Sequence, residues 1–220
     1  MSIKENLLQI KNALPEAVTL VAVSKTKPVS DLMEAYEVGQ RVFGENKIQE
    51  MAEKFEEMPK DIQWHMIGHV QTNKVKFMAP FVSLIHGVDS LKLLKEINKQ
   101  ALKNDRIIDC LLQMHIAEEE TKFGLDETEL DEILVFIKNE EFKNIRIAGY
   151  MGMATFTENQ TQIKKEFLNL KALFDKHKSL KTDNFQLNIL SMGMSGDYEL
   201  AIECGSNMIR IGSSIFGARK

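Results

Sequence analysis

The chain has 220 residues, 44% hydrophobic and 27% charged, a composition that fits a soluble globular domain and excludes a mostly disordered chain. With 28 basic and 32 acidic side chains the net charge is −4, which gives no electrostatic footprint for nucleic acid. No run of eighteen apolar residues occurs, the N-terminus lacks a basic region followed by an apolar stretch, and Cys110 and Cys204 have no CxxC partner, which together predict a reduced, cytoplasmic protein that does not span a membrane.

An amphipathic helix from Ile3 to Leu14 comes first, followed by an aliphatic strand at 19–24. A helix over 31–38 ends at Gly39, a residue suited to a left-handed C-cap. A strand at 41–44 precedes a helix over 47–58 that stops before Pro59. Strands at 64–68 and 84–88 flank a weak helical segment, 74–81, cut short by Pro80. Leu91, Leu94, Ile97 and Ala101 recur at helical spacing before a strand at 109–116. Asp126 and Glu129 have capping-box spacing and open a helix carrying Leu130, Ile133, Leu134 and Ile137. A strand at 145–151, a helical stripe of Ile163, Phe167, Leu170 and Phe174, a strand at 186–191, a helix over 198–204 and a last strand at 208–212 complete the chain.

The strand segments are short and almost continuously apolar, as in a parallel sheet covered on both faces. Eight of them, each separated by a helix, predict a single α/β domain over residues 1–220: a closed (β/α)8 TIM barrel with an extra N-terminal helix. The competing open doubly wound sheet is disfavoured by the strand count and by the absence of G-x-G-x-x-G after the first strand.

Function in such a barrel collects where the strands exit. The first exit is Val23-Ser24-Lys25-Thr26-Lys27-Pro28. An apolar wall behind Lys25 disfavours an ammonium and leaves an amine able to attack a carbonyl; a lysine snorkelling from a strand end is the simpler alternative. Lys27 is a second, more solvated candidate. The seventh and eighth exits, Ser191-Met192-Gly193-Met194-Ser195-Gly196 and Gly212-Ser213-Ser214, are small turns before helical segments, where backbone amides attract an anion such as a phosphate. Ser195 capping its helix is compatible with that use. Arg210, inside the last strand, requires either a core carboxylate or a ligand acceptor. Asn46 fits a helix N-cap, with Gln49 three residues on, and is also within reach of a ligand. His65 and His69 are about 13 Å apart on an extended strand, too far for a shared metal, so no metal site is predicted.

Val23 to Pro28, Phe43-Gly44-Glu45-Asn46, Trp64-His65-Met66-Ile67-Gly68, Gln71-Thr72-Asn73-Lys74, Leu190 to Ser195 and Ile209 to Gly217 resemble, in order and over nearly the whole chain, the signatures of the YggS/PROSC family of pyridoxal 5′-phosphate homeostasis proteins, which look like the barrel domain of alanine racemase standing alone. The resemblance implies that Lys25 holds pyridoxal 5′-phosphate as a Schiff base. It further implies that Ser195, Gly212 and Ser213 grip the phosphate and that Arg210 faces the pyridine nitrogen. Lys122 matches a basic position near the mouth. Residues 151–155 depart from a more leucine-rich family stretch.

Two functions follow from that resemblance. A carrier would bind the cofactor reversibly, buffer it and pass it to apo-enzymes that depend on it. An amino-acid racemase would need a second acid–base group, a tyrosine from another domain in the alanine racemases. Of Tyr36, Tyr150 and Tyr198, only Tyr150 is placed near a strand exit, so the carrier is favoured. A monomer is expected.

Overall fold

Eight parallel strands close into a barrel in sequence order: β1 (Thr19–Val23), β2 (Val42–Glu45), β3 (Gln63–Met66), β4 (Leu84–Val88), β5 (Ile108–Gln113), β6 (Ile145–Met151), β7 (Phe185–Ser191) and β8 (Met208–Ile211). The computed structural model describes residues 2–119, 123–138 and 142–218. Between the strands run α2 (Val29–Glu37), α3 (Ile48–Glu57), α4 (Val75–Met78), α5 (Leu91–Lys103), α6 (Glu127–Lys138), α7 (Gln160–His177) and α8 (Tyr198–Glu203); the short α9 (Ser213–Phe216) follows β8. The extra helix α1 (Ile3–Ala13) packs against α2 and α9. Its start is a full capping box: the Glu5 amide donates to Ser2 Oγ and the Ser2 amide to Glu5 Oε2. The box predicted at Asp126 and Glu129 closes in the same way at the head of α6.

Strand alternation divides the apolar residues into two layers. Val21, Leu84, Leu111, Ala148, Met151 and Met208 fill the barrel interior. Leu20, Ala22, Phe43, Trp64, Ile85 and Ile209 point outward and lie in the larger core with the helices.

Boundaries shift for local reasons. Pro28, which has no amide hydrogen to leave unpaired, sits at the N-cap, so α2 begins two residues before the expected position. The weak segment 74–81 is a 3-10 turn, Thr72–Lys74, running into the four-residue α4 ahead of Pro80. β5 ends at Gln113, and Met114 forms an isolated bridge to Leu125.

Gly149 marks the irregular part of the wall. The register of β6 slips against both β5 and β7 on reaching it. A Cβ there would stand 1.8 Å from Ile189 O, so only glycine lets the two backbones approach this closely.

Candidate functional site

The inward alternation of β1 runs through Val21 and Val23, so the next inward position, just past the strand, is Lys25, while Ser24 turns out toward β2 and α3. In β8 the same alternation places Met208 and Arg210 inside, with Gly212 above them against Val23. These residues meet in a cavity of about 550 Å³ at the C-terminal mouth of the barrel. Lys25, Asn46, Ser195, Arg210, Gly212 and Ser213, the six positions expected from sequence, all line it. The volume suits one small organic ligand.

Arg210 is buried, and two backbone carbonyls and a hydroxyl accept from its guanidinium. Its Nη1 donates to Ser191 O at 3.0 Å and Ser191 Oγ at 2.6 Å, and Nη2 donates to Gly152 O at 3.1 Å. Burial lowers its pKa to about 10, partly countered by the charge of Asp197, so it stays cationic at neutral pH. Asp197 also lines the cavity and accepts the Met194 amide at 2.5 Å; burial pushes its carboxyl upward.

Behind Arg210 a hydrogen-bonded chain crosses the barrel interior. Ser191 Oγ lies 3.1 Å from His86 Nδ1, and His86 Nε2 lies 3.1 Å from His65 Nδ1. A guanidinium can only donate, so Ser191 Oγ accepts from it; its other lone pair could take a proton from His86, but only by donating to His86 Nδ1 does the buried serine proton itself gain an acceptor in this chain. Each imidazole then accepts at Nδ1 and carries its proton on Nε2. Burial agrees with this neutral state: it drives His65 down to about 3 and His86 well below its ordinary value.

The seventh and eighth turns are joined at the mouth. Ser195 Oγ accepts the Gly212 amide at 3.4 Å. Gly193, at φ 98°, reverses the chain toward Ser195, and a Cβ on Gly196 would meet no atom within 4 Å, so this backbone is open to an incoming group. Ser213 and Ser214 are exposed in the first turn of α9, where leading amides have no acceptor within the helix.

Several expectations need correction. Lys47, not Asn46, is the N-cap of α3, and no side chain caps it. Asn46 Oδ1 is instead buried at the cavity with no hydrogen-bond partner. Ser195 does not cap α8, whose N-cap is Asp197; its hydroxyl is drawn across to the Gly212 amide of the next turn. Lys27 is not simply solvated, because α9 brings its last carbonyls within reach and Nζ donates to Phe216 O at 2.7 Å. Tyr150 does lie near the exit of β6, but its side chain points outward and its hydroxyl meets His177 Nδ1 on α7 at 2.8 Å. Met153, Ala154 and Thr155 form part of the cavity wall, with Phe156 exposed at its rim. Lys122 lies outside the described residues. Among the described residues no group of three or more His, Cys, Asp or Glu side chains is placed to hold a metal ion.

The interior His65 and His86, and a cluster of the buried Glu45 and Lys54 with the half-buried Glu50 behind the Lys25 turn, did not emerge from the sequence. A polar residue at an inward position of an otherwise apolar strand was the available signal for the histidines. Nothing local marked Lys54, which reads as one more lysine on an amphipathic helix.

The fold and cavity define a (β/α)8 barrel with a lysine and two glycine-serine turns at one mouth. The chain belongs to the family described as alanine racemase, N-terminal domain, whose model matches residues 1–220. It is 39% identical, over 91% of its length and 87% of the relative's, to the pyridoxal phosphate homeostasis protein of Aquifex aeolicus (strain VF5). The structure of PipY from Synechococcus elongatus PCC7942, solved with PLP bound, superposes with a TM-score of 0.88 at 31% identity, covering 98% of this chain and all of that one. Alanine racemase from E. faecalis shares the fold, with a TM-score of 0.79 at 18% identity over 99% of this chain and 58% of the enzyme. The family resemblance carried by the sequence motifs is therefore borne out.

Proposed function

We propose that this chain binds pyridoxal 5′-phosphate at the barrel mouth with Lys25 as covalent anchor, and that it holds and supplies the cofactor rather than turning over a substrate. The observation that carries this reading is the single cavity shared by Lys25, Arg210 and the turns of Ser195, Gly212 and Ser213. The relative named for pyridoxal phosphate homeostasis and the PipY structure solved with PLP bound support it.

The residues fit the group. Bound, it supplies an aldehyde that condenses with a primary amine, C=N replacing C=O as water leaves, and a conjugated ring beside it. Lys25 provides the amine after giving up one proton. The Ser195 hydroxyl and the amides of the seventh and eighth turns donate to the phosphate. Asn46 Oδ1, buried and unpaired, has an acceptor to offer a ligand hydroxyl. Arg210 stays cationic and donates only, so beside the ring nitrogen it keeps that nitrogen unprotonated and the ring a weak electron sink. That favours storage over carbanion chemistry.

The reading includes a cytoplasmic monomer that passes the cofactor to apo-enzymes. Buried, unbridged Cys110 and Cys204 are in keeping with a reducing compartment, and no helix among the described residues is long and apolar enough to cross a membrane. Racemization would need a second acid–base group, and none of the three tyrosines lines the cavity.

Absorbance of the purified chain with added pyridoxal 5′-phosphate, followed by borohydride reduction and peptide mapping, tests the anchor. A visible band and a label confined to Lys25, both lost in Lys25→Ala, are expected. A missing band, or a label elsewhere, overturns the assignment. Deuterium entering Cα of L-alanine in deuterated water at a catalytic rate would replace the carrier with a racemase.

A further inference from the structure

Lys25 sits between two residues that are both tied to one buried ammonium. On its N-terminal side, Ser24 O accepts from Lys54 Nζ at 2.8 Å. Ser24 Oγ donates to Glu45 Oε1 at 2.6 Å, and the same oxygen accepts from Lys54 at 2.7 Å. On its C-terminal side, the Thr26 amide donates to Glu50 Oε1 at 2.5 Å, and Lys54 Nζ donates to that oxygen at 2.8 Å. Thr26 has φ 64°, a left-handed conformation that a β-branched residue rarely adopts and keeps only where its surroundings impose it.

The cluster belongs to the outside of the barrel wall. Lys54 and Glu50 come from α3 and Glu45 from the end of β2, and none of the three lines the cavity. The Lys54 side chain is 7% exposed and that of Glu45 is fully buried. Buried ion pairs are a poor means of gaining stability, because apolar side chains of like volume hold a core about as well. This one spans the two backbone groups that fix the direction in which Lys25 leaves β1, one of them strained.

We infer that Lys54, with Glu45 and Glu50, is the positioning device for Lys25: it locks the Ser24–Thr26 turn so that the amine enters the cavity in the orientation needed to attack a bound aldehyde. This rests on the anchor reading above. Lys54 acts through Lys25 and touches no ligand, so it is a positioning residue. Removing it should slow bond formation at Lys25 without weakening the grip on the rest of the molecule.

The test compares wild type, Lys54→Met, Lys54→Arg and Glu50→Leu with two ligands. Pyridoxal 5′-phosphate reports attachment at Lys25, by the growth of the visible band and by borohydride trapping. Pyridoxine 5′-phosphate carries a hydroxymethyl group in place of the aldehyde and reports noncovalent binding alone, by calorimetry. In Lys54→Met, attachment should slow about tenfold or more, since small misplacements of a reacting group cost that much. Pyridoxine 5′-phosphate affinity should stay within about twofold, and Lys54→Arg should recover most of the rate. Unchanged attachment, or an equal loss for both ligands, overturns the positioning role. If Lys54→Met does not fold, Glu50→Leu, which removes the oxygen that accepts from both Thr26 and Lys54, carries the same comparison. Failure of wild type to label at Lys25 overturns the anchor reading itself, and the positioning role with it, and is recognised separately because it needs no variant.

Discussion

Arg210 Nη1 stands 2.6 Å from Ser191 Oγ, and that contact begins a hydrogen-bonded chain that runs as far as His65 on the other side of the barrel. A donor-only group at one end makes Ser191 Oγ an acceptor there, and the arrangement that also gives the serine proton an acceptor puts both imidazole protons on Nε2. Nitrogen-15 NMR should therefore find His65 and His86 neutral and protonated on Nε2 at neutral pH. A protonated Nδ1 on either ring contradicts the chain.

The same histidines tie stability to pH. His65 titrates near 3 in the folded chain against 6.5 for a solvated imidazole, so the unfolded chain takes up its proton first as pH falls. The His65 contribution is complete above about pH 6.5 and is lost progressively toward pH 3, on the order of 1.4 kcal/mol per pH unit, and His86, also held below its ordinary value, acts in the same direction. Urea unfolding followed from neutral pH to about pH 5 should show this decline. His65→Gln should flatten it by roughly one proton.

Arg210→Lys should destabilise the chain by about 2–4 kcal/mol in the absence of any ligand, because an ammonium cannot span Ser191 O, Ser191 Oγ and Gly152 O from one planar fork. Thermal unfolding of the apo-protein measures it. A loss under about 0.5 kcal/mol would mean these contacts carry little.

Ser195→Ala removes the hydroxyl that bridges the seventh and eighth turns. Affinity for pyridoxine 5′-phosphate should fall roughly ten- to a hundredfold, the value of a hydrogen bond to a charged acceptor, while the rate of attachment at Lys25 under saturating pyridoxal 5′-phosphate stays near wild type. Unchanged affinity in calorimetry would exclude Ser195 from the phosphate site.

Gly149→Ala drives a methyl group to 1.8 Å from Ile189 O. The strands must separate where their register already slips, and a loss of about 3 kcal/mol in urea unfolding is expected. A change within experimental error would show that the wall can open there.

Much of the architecture was legible because the interactions that build it are local and periodic. Short apolar runs closed by Gly, Ser or Asp, alternating with helical stripes, are enough to specify eight strands and their covering helices. The positions at the exits of β1 and β8 were readable in the same way, since alternation along a strand follows from the backbone and carries from Val21 to Lys25 and from Met208 to Gly212. The motifs at those exits added the family. Local pattern misled where a side chain had two possible partners: Asn46 was spaced for a cap and went to the cavity, and Ser195 was spaced for a cap and went to Gly212.

Only the closed barrel decided what crosses it. His65, His86, Ser191 and Arg210 come from four different strands, and Lys54 reaches Ser24 from thirty residues away. Such contacts have no period and no spacing in the chain. A buried polar group takes whichever partner the fold brings within reach, because leaving it unpaired costs more than nearly any arrangement that satisfies it.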